Sequence, residues 1–195
     1  MMTTGLLLGA YLLGSIPFGL LIAKIWKVDI RRHGSGNIGA TNVLRTLGTL
    51  PGAMVFALDF LKGSLAVCLG YWAGSDPLIV LLLGIAAIFG HMFPLFLGFR
   101  GGKGAATGLG VLFALSPEIF MVALVLAAVL IYATRYVSVA SVTTAFAAAL
   151  LMFVFHQPLP YALGTLIVAV VILLRHRPNI KRLLNGTEPK IGEKK

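Results

Sequence analysis

The chain has 195 residues, 58% of them hydrophobic and only 11% charged, with a formal net charge of +10. A mean hydropathy of +0.97 excludes a soluble globular domain and points to an integral membrane protein. The cations lie in loops between apolar runs, which argues against nucleic acid as their partner and for anionic lipid, phosphate-bearing substrates and control of topology.

The first apolar segment is expected over about Gly5 to Ala23, with Gly5 and Gly9 spaced for close helix packing and Pro17 placed to kink it. No basic stretch precedes it and Lys24 and Lys27 follow it, which argues against a signal peptide and for an outside N-terminus. A polar, glycine-rich loop then runs from about residue 27 to residue 50. Segment two is expected over Pro51 to Trp72, ended by Asp76-Pro77, and segment three over Leu78 to Leu97. The lone Cys68 lies within an apolar run, so no disulfide framework and no cysteine-rich metal site is expected.

From Gly104 to Arg135 the chain is too long for one ordinary span, about 45 Å as a helix against a hydrocarbon core of about 30 Å. Ser116-Pro117-Glu118 supplies helix-start chemistry inside it. The reading is therefore a short segment four, Ala105 to Leu115, and a segment five, Pro117 to Thr134. Segments six and seven follow at about Val139 to Phe155 and Leu159 to Leu174. The basic stretch Arg175 to Glu188 reads as a short interfacial helix that Gly186 ends. The expected fold is thus an all-α integral membrane protein, one domain with seven transmembrane helices, the N-terminus outside and the C-terminus cytoplasmic. With this count all 16 Lys and Arg fall on the inner side, and the outer turns hold Asp76 and Glu118. Merging segments four and five would break that pattern.

Two inner loops carry the chemistry. Phe99-Arg100-Gly101-Gly102-Lys103-Gly104-Ala105-Ala106-Thr107 places consecutive glycines, two cations and a helix start together. That combination suits a phosphate cradle of backbone amides, and also a tight turn whose cations hold topology. The first loop, Arg31 to Arg45, alternates glycines with Ser35, Asn37, Thr41 and Asn42, which can bind hydroxyls or phosphate oxygens, and Arg45 can grip phosphate with two bonds. A helix cap and turn is the plainer reading. Asp59 and Lys62, spaced i, i+3 inside segment two, can pair on one helical face, for function or to orient neighbouring cations. His91 sits two turns before the glycine loop and is either a base, a substrate contact or a packed histidine. Several familiar sites are missing. No GxxxxGK[ST] phosphate loop and no GxSxG elbow occurs, and none of the four histidines has an aspartate five residues on. No metal-ligand cluster is present.

Taken together, these stretches resemble one family almost end to end. GSIPFG at Gly14 to Gly19, GSGNIGATNVLR at Gly34 to Arg45, DFLKG at Asp59 to Gly63, GHMFPLFLGFRGGKGAAT at Gly90 to Thr107, RYVSVAS at Arg135 to Ser141 and RHRPNIKRLLNGTE at Arg175 to Glu188 are similar to the motifs of the bacterial membrane glycerol-3-phosphate acyltransferases that use acyl phosphate, the PlsY family. Arg100 stands where that family often has lysine. The resemblance implies acyl transfer from acyl phosphate to the 1-hydroxyl of glycerol 3-phosphate, giving lysophosphatidic acid and phosphate in the first step of phospholipid synthesis. It also implies a monomer among membrane lipids, in the bacterial inner membrane, with a cytoplasmic active site and no cofactor. Residue by residue it implies catalytic roles for Ser35, His91 and Lys103. Substrate or phosphate binding would fall to Asn37, Arg45, Gly101, Gly102, Thr107, Ser141 and Asn179, with Asp59, Lys62 and Glu188 in support; Thr41, Asn42 and Arg100 join the binding groups on their own chemistry. The proton acceptor is His91 or the donor phosphate; the absence of a His-Asp relay favours the donor phosphate. An anion or phosphate transporter is the alternative, but the outer turns offer no second mouth and no inverted repeat is visible.

Overall fold

The computed structural model describes residues 2–193. Lys194 and Lys195, counted above among the inner cations, lie outside the described residues. Among the described residues the regular structure is helical, without strands. Five helices are long and apolar enough to cross a membrane, or six if the bent pair Leu159–Arg175 and Arg177–Leu184 is one span. The chain packs as two compact units, one running through Leu115 and the other starting at Ser116.

The first unit opens with α1 (Met2–Ser15) and α2 (Phe18–Ile25), which together form one apolar span. Pro17 lacks the amide that would continue the ladder, so the expected kink is a break between two helices. The expected packing role of Gly5 and Gly9 does not hold, because among the described residues a Cβ added at either would meet no neighbouring element within 4 Å. Gly14 instead meets the Ala87 backbone and Gly90 meets the Tyr11 carbonyl, bringing α1 against α5 (Pro77–Met92). The Tyr11 hydroxyl donates to the Phe93 carbonyl at 2.8 Å and fixes the end of that contact.

The 27–50 loop holds an unexpected helix, α3 (Ala40–Leu47). Its Val43 is fully buried with Ile22, Ala23, Ile30 and Val55, so the loop is folded onto α2 and α4 (Thr49–Trp72). The short fourth segment is α6 (Ala105–Leu115), with the expected bounds. Eleven residues reach about 16 Å, roughly half a bilayer core. It lies on α4 through glycines, Gly63 against the Thr107 carbonyl and Gly110 against the Phe60 carbonyl, and Ser64 Oγ donates to the Gly110 carbonyl at 2.9 Å.

The second unit comprises α7 (Pro117–Thr134), α8 (Val137–Val154), α9 (Leu159–Arg175) and α10 (Arg177–Leu184). Arg135, in the left-handed conformation at φ 61°, makes the tight α7–α8 turn. The axis turns by 54° between α9 and α10, and Gly186 follows α10 at φ 67°. This matches the expected helix end.

Candidate active site

In the first unit, the loop before α3 is organised by one side chain. The Asn42 amide nitrogen donates to the carbonyls of Ile30, His33 and Asn37 at 3.3, 3.0 and 2.8 Å. Its oxygen accepts from the Ser35 amide at 2.9 Å. Asn42 is buried and fully engaged, so the expectation that it binds substrate gives way to a structural role. Asn37 accepts from the Gly39 amide at 2.8 Å and leads into α3. Ser35 is left exposed on the rim, Thr41 opens α3 half-buried, and Arg45 lies in its last turn, half-buried. Below the loop Arg31 clamps Asp29 with two bonds of 2.9 Å, and that guanidinium holds the Asp29 carboxyl down to about 2.

Asp59 and Lys62 do pair, at 2.7 Å, and both are only 2% exposed. The sequence did not reveal their third partner. His91 Nδ1 lies 3.4 Å from the same Asp59 oxygen. The aspartate partner missing from the local sequence is therefore present, supplied from another helix. Lys62 also donates to the Ile16 carbonyl at 3.0 Å and sits 5.4 Å from the Phe18 ring centre. The crevice around these groups is lined by Gly14, Pro17, Phe18, Ile38 and Pro94.

The glycine loop differs from the expected cradle. The Gly101 amide donates to the Met92 carbonyl at 3.1 Å and the Gly102 amide to the His91 carbonyl at 3.0 Å. These two amides therefore hold the loop to the end of α5. The glycines are needed for close approach, because a Cβ at Gly102 would strike His91 Nε2 and one at Gly101 would strike the His91 carbonyl. Gly104, at φ +85°, turns the chain into α6. Arg100 is exposed and Lys103 half-buried. Thr107 is fully buried against Gly63, and its hydroxyl has no hydrogen-bond partner among the described residues.

In the second unit Glu188 is 5% exposed and takes three donors. Ser138 Oγ donates at 2.9 Å, Asn179 Nδ2 at 2.6 Å and Arg182 Nε at 2.8 Å. Burial pushes the Glu188 carboxyl up, but the bonds from Asn179, Arg182 and Ser138 outweigh it and hold the carboxyl below its ordinary value. Ser141 donates back to the Val137 carbonyl at 2.8 Å. Ser138 and Arg182 are the members of this cluster that sequence reasoning missed. Both lie inside the quoted motif stretches, but their spacing does not bring them together; the packing of the tail against α8 does.

The family model for glycerol-3-phosphate acyltransferase matches residues 4–186. The glycerol-3-phosphate acyltransferase 2 of Moorella thermoacetica is 49% identical, with 95% of each chain covered. The glycerol-3-phosphate acyltransferase of Halalkalibacterium halodurans is 50% identical, covering 97% of this chain and 96% of that one. The crystal structure of PlsY (YgiH), an integral membrane glycerol 3-phosphate acyltransferase in its glycerol 3-phosphate form, superposes with a TM-score of 0.94 at 44% identity, covering 98% of this chain and 96% of that one. Its lysophosphatidic acid form gives a TM-score of 0.91. The motif loops, their placement on the helices and these likenesses agree: the chain belongs to the glycerol-3-phosphate acyltransferase family, with the PlsY enzymes.

Proposed function

We propose that the protein transfers a fatty acyl group from acyl phosphate to the 1-hydroxyl of glycerol 3-phosphate, releasing lysophosphatidic acid and inorganic phosphate. The observation that carries this reading is the family match over residues 4–186, which spans the first loop, the glycine loop and most of the basic tail. The glycerol oxygen attacks the acyl carbonyl, a tetrahedral oxyanion forms, and the bond from carbonyl carbon to phosphate oxygen breaks. The hydroxyl proton leaves with the phosphate. Acyl phosphate already carries a good leaving group, so the protein has to hold two anions together and orient the hydroxyl. Orientation of this kind contributes up to about 7–11 kcal/mol.

In this reading Arg45, Arg100 and Lys103 offset the phosphate charges, and the exposed Ser35 and neighbouring Asn37 meet the glycerol hydroxyls. Ser141 and Asn179 complete or brace the pocket, as the family resemblance implies. The donor phosphate is the proton acceptor. This is supported by the His91 ring, whose Nε2 is covered by the Gly102 backbone. No finding favours the transporter alternative.

The chain crosses the bacterial inner membrane seven times, α6 being the short fourth crossing, with the N-terminus outside and the motif loops cytoplasmic. It works as a monomer. Purified protein given palmitoyl phosphate and glycerol 3-phosphate should form lysophosphatidic acid, and palmitoyl-CoA should not replace the donor. Equal turnover with the thioester would overturn the donor assignment. For topology, single cysteines at Ser75 and Pro117 on a Cys68→Ala background should label from outside, and cysteines at His33, Arg100 and Lys190 only after the membrane is breached. Outside labelling at Lys190 would refute the seven crossings.

A further inference from the structure

A buried ion pair is costly to desolvate, and its presence at membrane depth calls for a task. Lys62 joins Asp59 to the Ile16 carbonyl, at the point where Pro17 interrupts the first span. On the other side Asp59 faces His91 Nδ1 at 3.4 Å. His91 bears on the glycine loop twice. Its carbonyl accepts the Gly102 amide at 3.0 Å, and its Nε2 edge lies flat against Gly102, where even a methyl group would collide. Next to it, the Met92 carbonyl accepts the Gly101 amide at 3.1 Å. The next residue along the chain is Lys103.

From this geometry we infer that Asp59, Lys62 and His91 form a buried frame that positions the Gly101–Lys103 loop, with His91 a positioning residue acting through Nδ1. The carboxylate oxygen, 3.4 Å from Nδ1, holds that edge of the ring by charge, and the Nε2 edge then sets the height of Gly102. A substrate hydroxyl could not reach Nε2 without displacing the loop that presents Lys103. The inference rests on the acyltransferase reading only for the task of Lys103; the frame itself is independent of it.

The side-chain nitrogen of asparagine overlays histidine Nδ1, and that of glutamine overlays Nε2. His91→Asn therefore keeps a polar N–H facing Asp59, and His91→Gln does not. The test compares these two with His91→Ala and with the neutral double variant Asp59→Asn/Lys62→Met, all as full-length protein in detergent. Two quantities are read: amide hydrogen exchange over residues 99–104, and kcat and KM with palmitoyl phosphate and glycerol 3-phosphate. We expect faster exchange at 101–103 in the Ala, Gln and double variants, with kcat lowered about 10²-fold by misplacement of the loop. His91→Asn should exchange as the wild type does and recover at least about tenfold of the kcat that Ala loses. Wild-type exchange in all four variants would overturn the frame. Recovery by Gln and not by Asn would overturn the role of Nδ1 and make Nε2 the working atom. A wild-type protein without acyl transfer would refute the functional reading, while the exchange arm still decides the frame. Should His91→Ala fail to fold, the comparison of Asn with Gln decides alone.

Discussion

Two buried carboxylates, one in each unit, solve the same problem differently. Asp59 is 2% exposed and Glu188 5%, and each faces cationic or polar groups. Asp59 lies within a membrane-spanning helix, and its partners are a lysine one turn on and a histidine on α5. Glu188 lies beyond the spans, and its partners are a hydroxyl, an amide and a guanidinium. Around it the tail is also tied to the α7–α8 turn, Ile191 to Arg135 by two reciprocal bonds of 2.8 and 2.9 Å. The lesson is one of divisibility. The ion pair either exists or leaves a stranded charge, whereas the tail cluster divides its hold among several bonds and can lose one.

The sharpest way to break this contrast is Asp59→Leu. It leaves the Lys62 ammonium buried beside a carbonyl and a ring, and should destabilise the protein by about 3–5 kcal/mol, read from thermal unfolding in detergent. Adding Lys62→Met should recover most of that loss, because two apolar side chains pack where two charges sat. A single variant as stable as the double would show that the lysine escapes to water, and the contrast with Glu188 would collapse.

Next in size are the cations assigned to substrate. Lys103→Ala and Arg45→Ala should each remove a charge-assisted contact of about 1.5–3 kcal/mol. That corresponds to roughly 10- to 150-fold in kcat/KM, with thermal stability little changed. Here the loss appears in kinetics and not in folding, the reverse of the Asp59 variant. Near-normal kinetics in both would reduce these residues to topology cations.

The distinction between structural and substrate-facing polar groups is also where the sequence stopped being informative. Helix ends were legible because Pro117, Gly104 and Gly186 punctuate the chain, and the bounds of α6 and α7 follow from them. The pairing of Asp59 with Lys62 was legible because i, i+3 spacing fixes it within one helix. The approach of His91 to Asp59 was not, since helix packing and not spacing creates it. Gly5 and Gly9 carry the right spacing where an added Cβ would meet no neighbouring element among the described residues, and Gly14 and Gly90 make the contact. The helix α3 was hidden by its own glycine-rich surroundings, and only burial of Val43 reveals it.

Asn42 and Ser35, seven residues apart and both read as substrate groups, separate along the same line. Asn42→Ala leaves three carbonyls and the Ser35 amide without their shared partner, at about 1–3 kcal/mol of stability. Ser35→Ala should leave the melting temperature in place and change turnover. If Asn42→Ala melted like the wild type, the loop would have another organiser.

The smallest effect is expected at Glu188, because its cluster is divisible. In Glu188→Gln the amide oxygen still accepts from Ser138 and Asn179, and only the charged bond from Arg182 is lost. Arg182 is one-third exposed and can turn to water, so the loss at neutral pH should be about 1 kcal/mol. The pH dependence identifies the cause. The folded-state carboxyl is held below its ordinary value of 4.5, so the stability it adds is fully present above that pH. It is lost as pH falls through the lowered folded value, where the carboxylate takes up its proton. The gap in melting temperature between wild type and Glu188→Gln should thus be constant from neutral pH down to about 4.5 and close below it. A gap that persisted or widened in acid would mean that the variant lost packing and not charge, and Glu188 would then resemble Asp59 more than its three graded bonds allow.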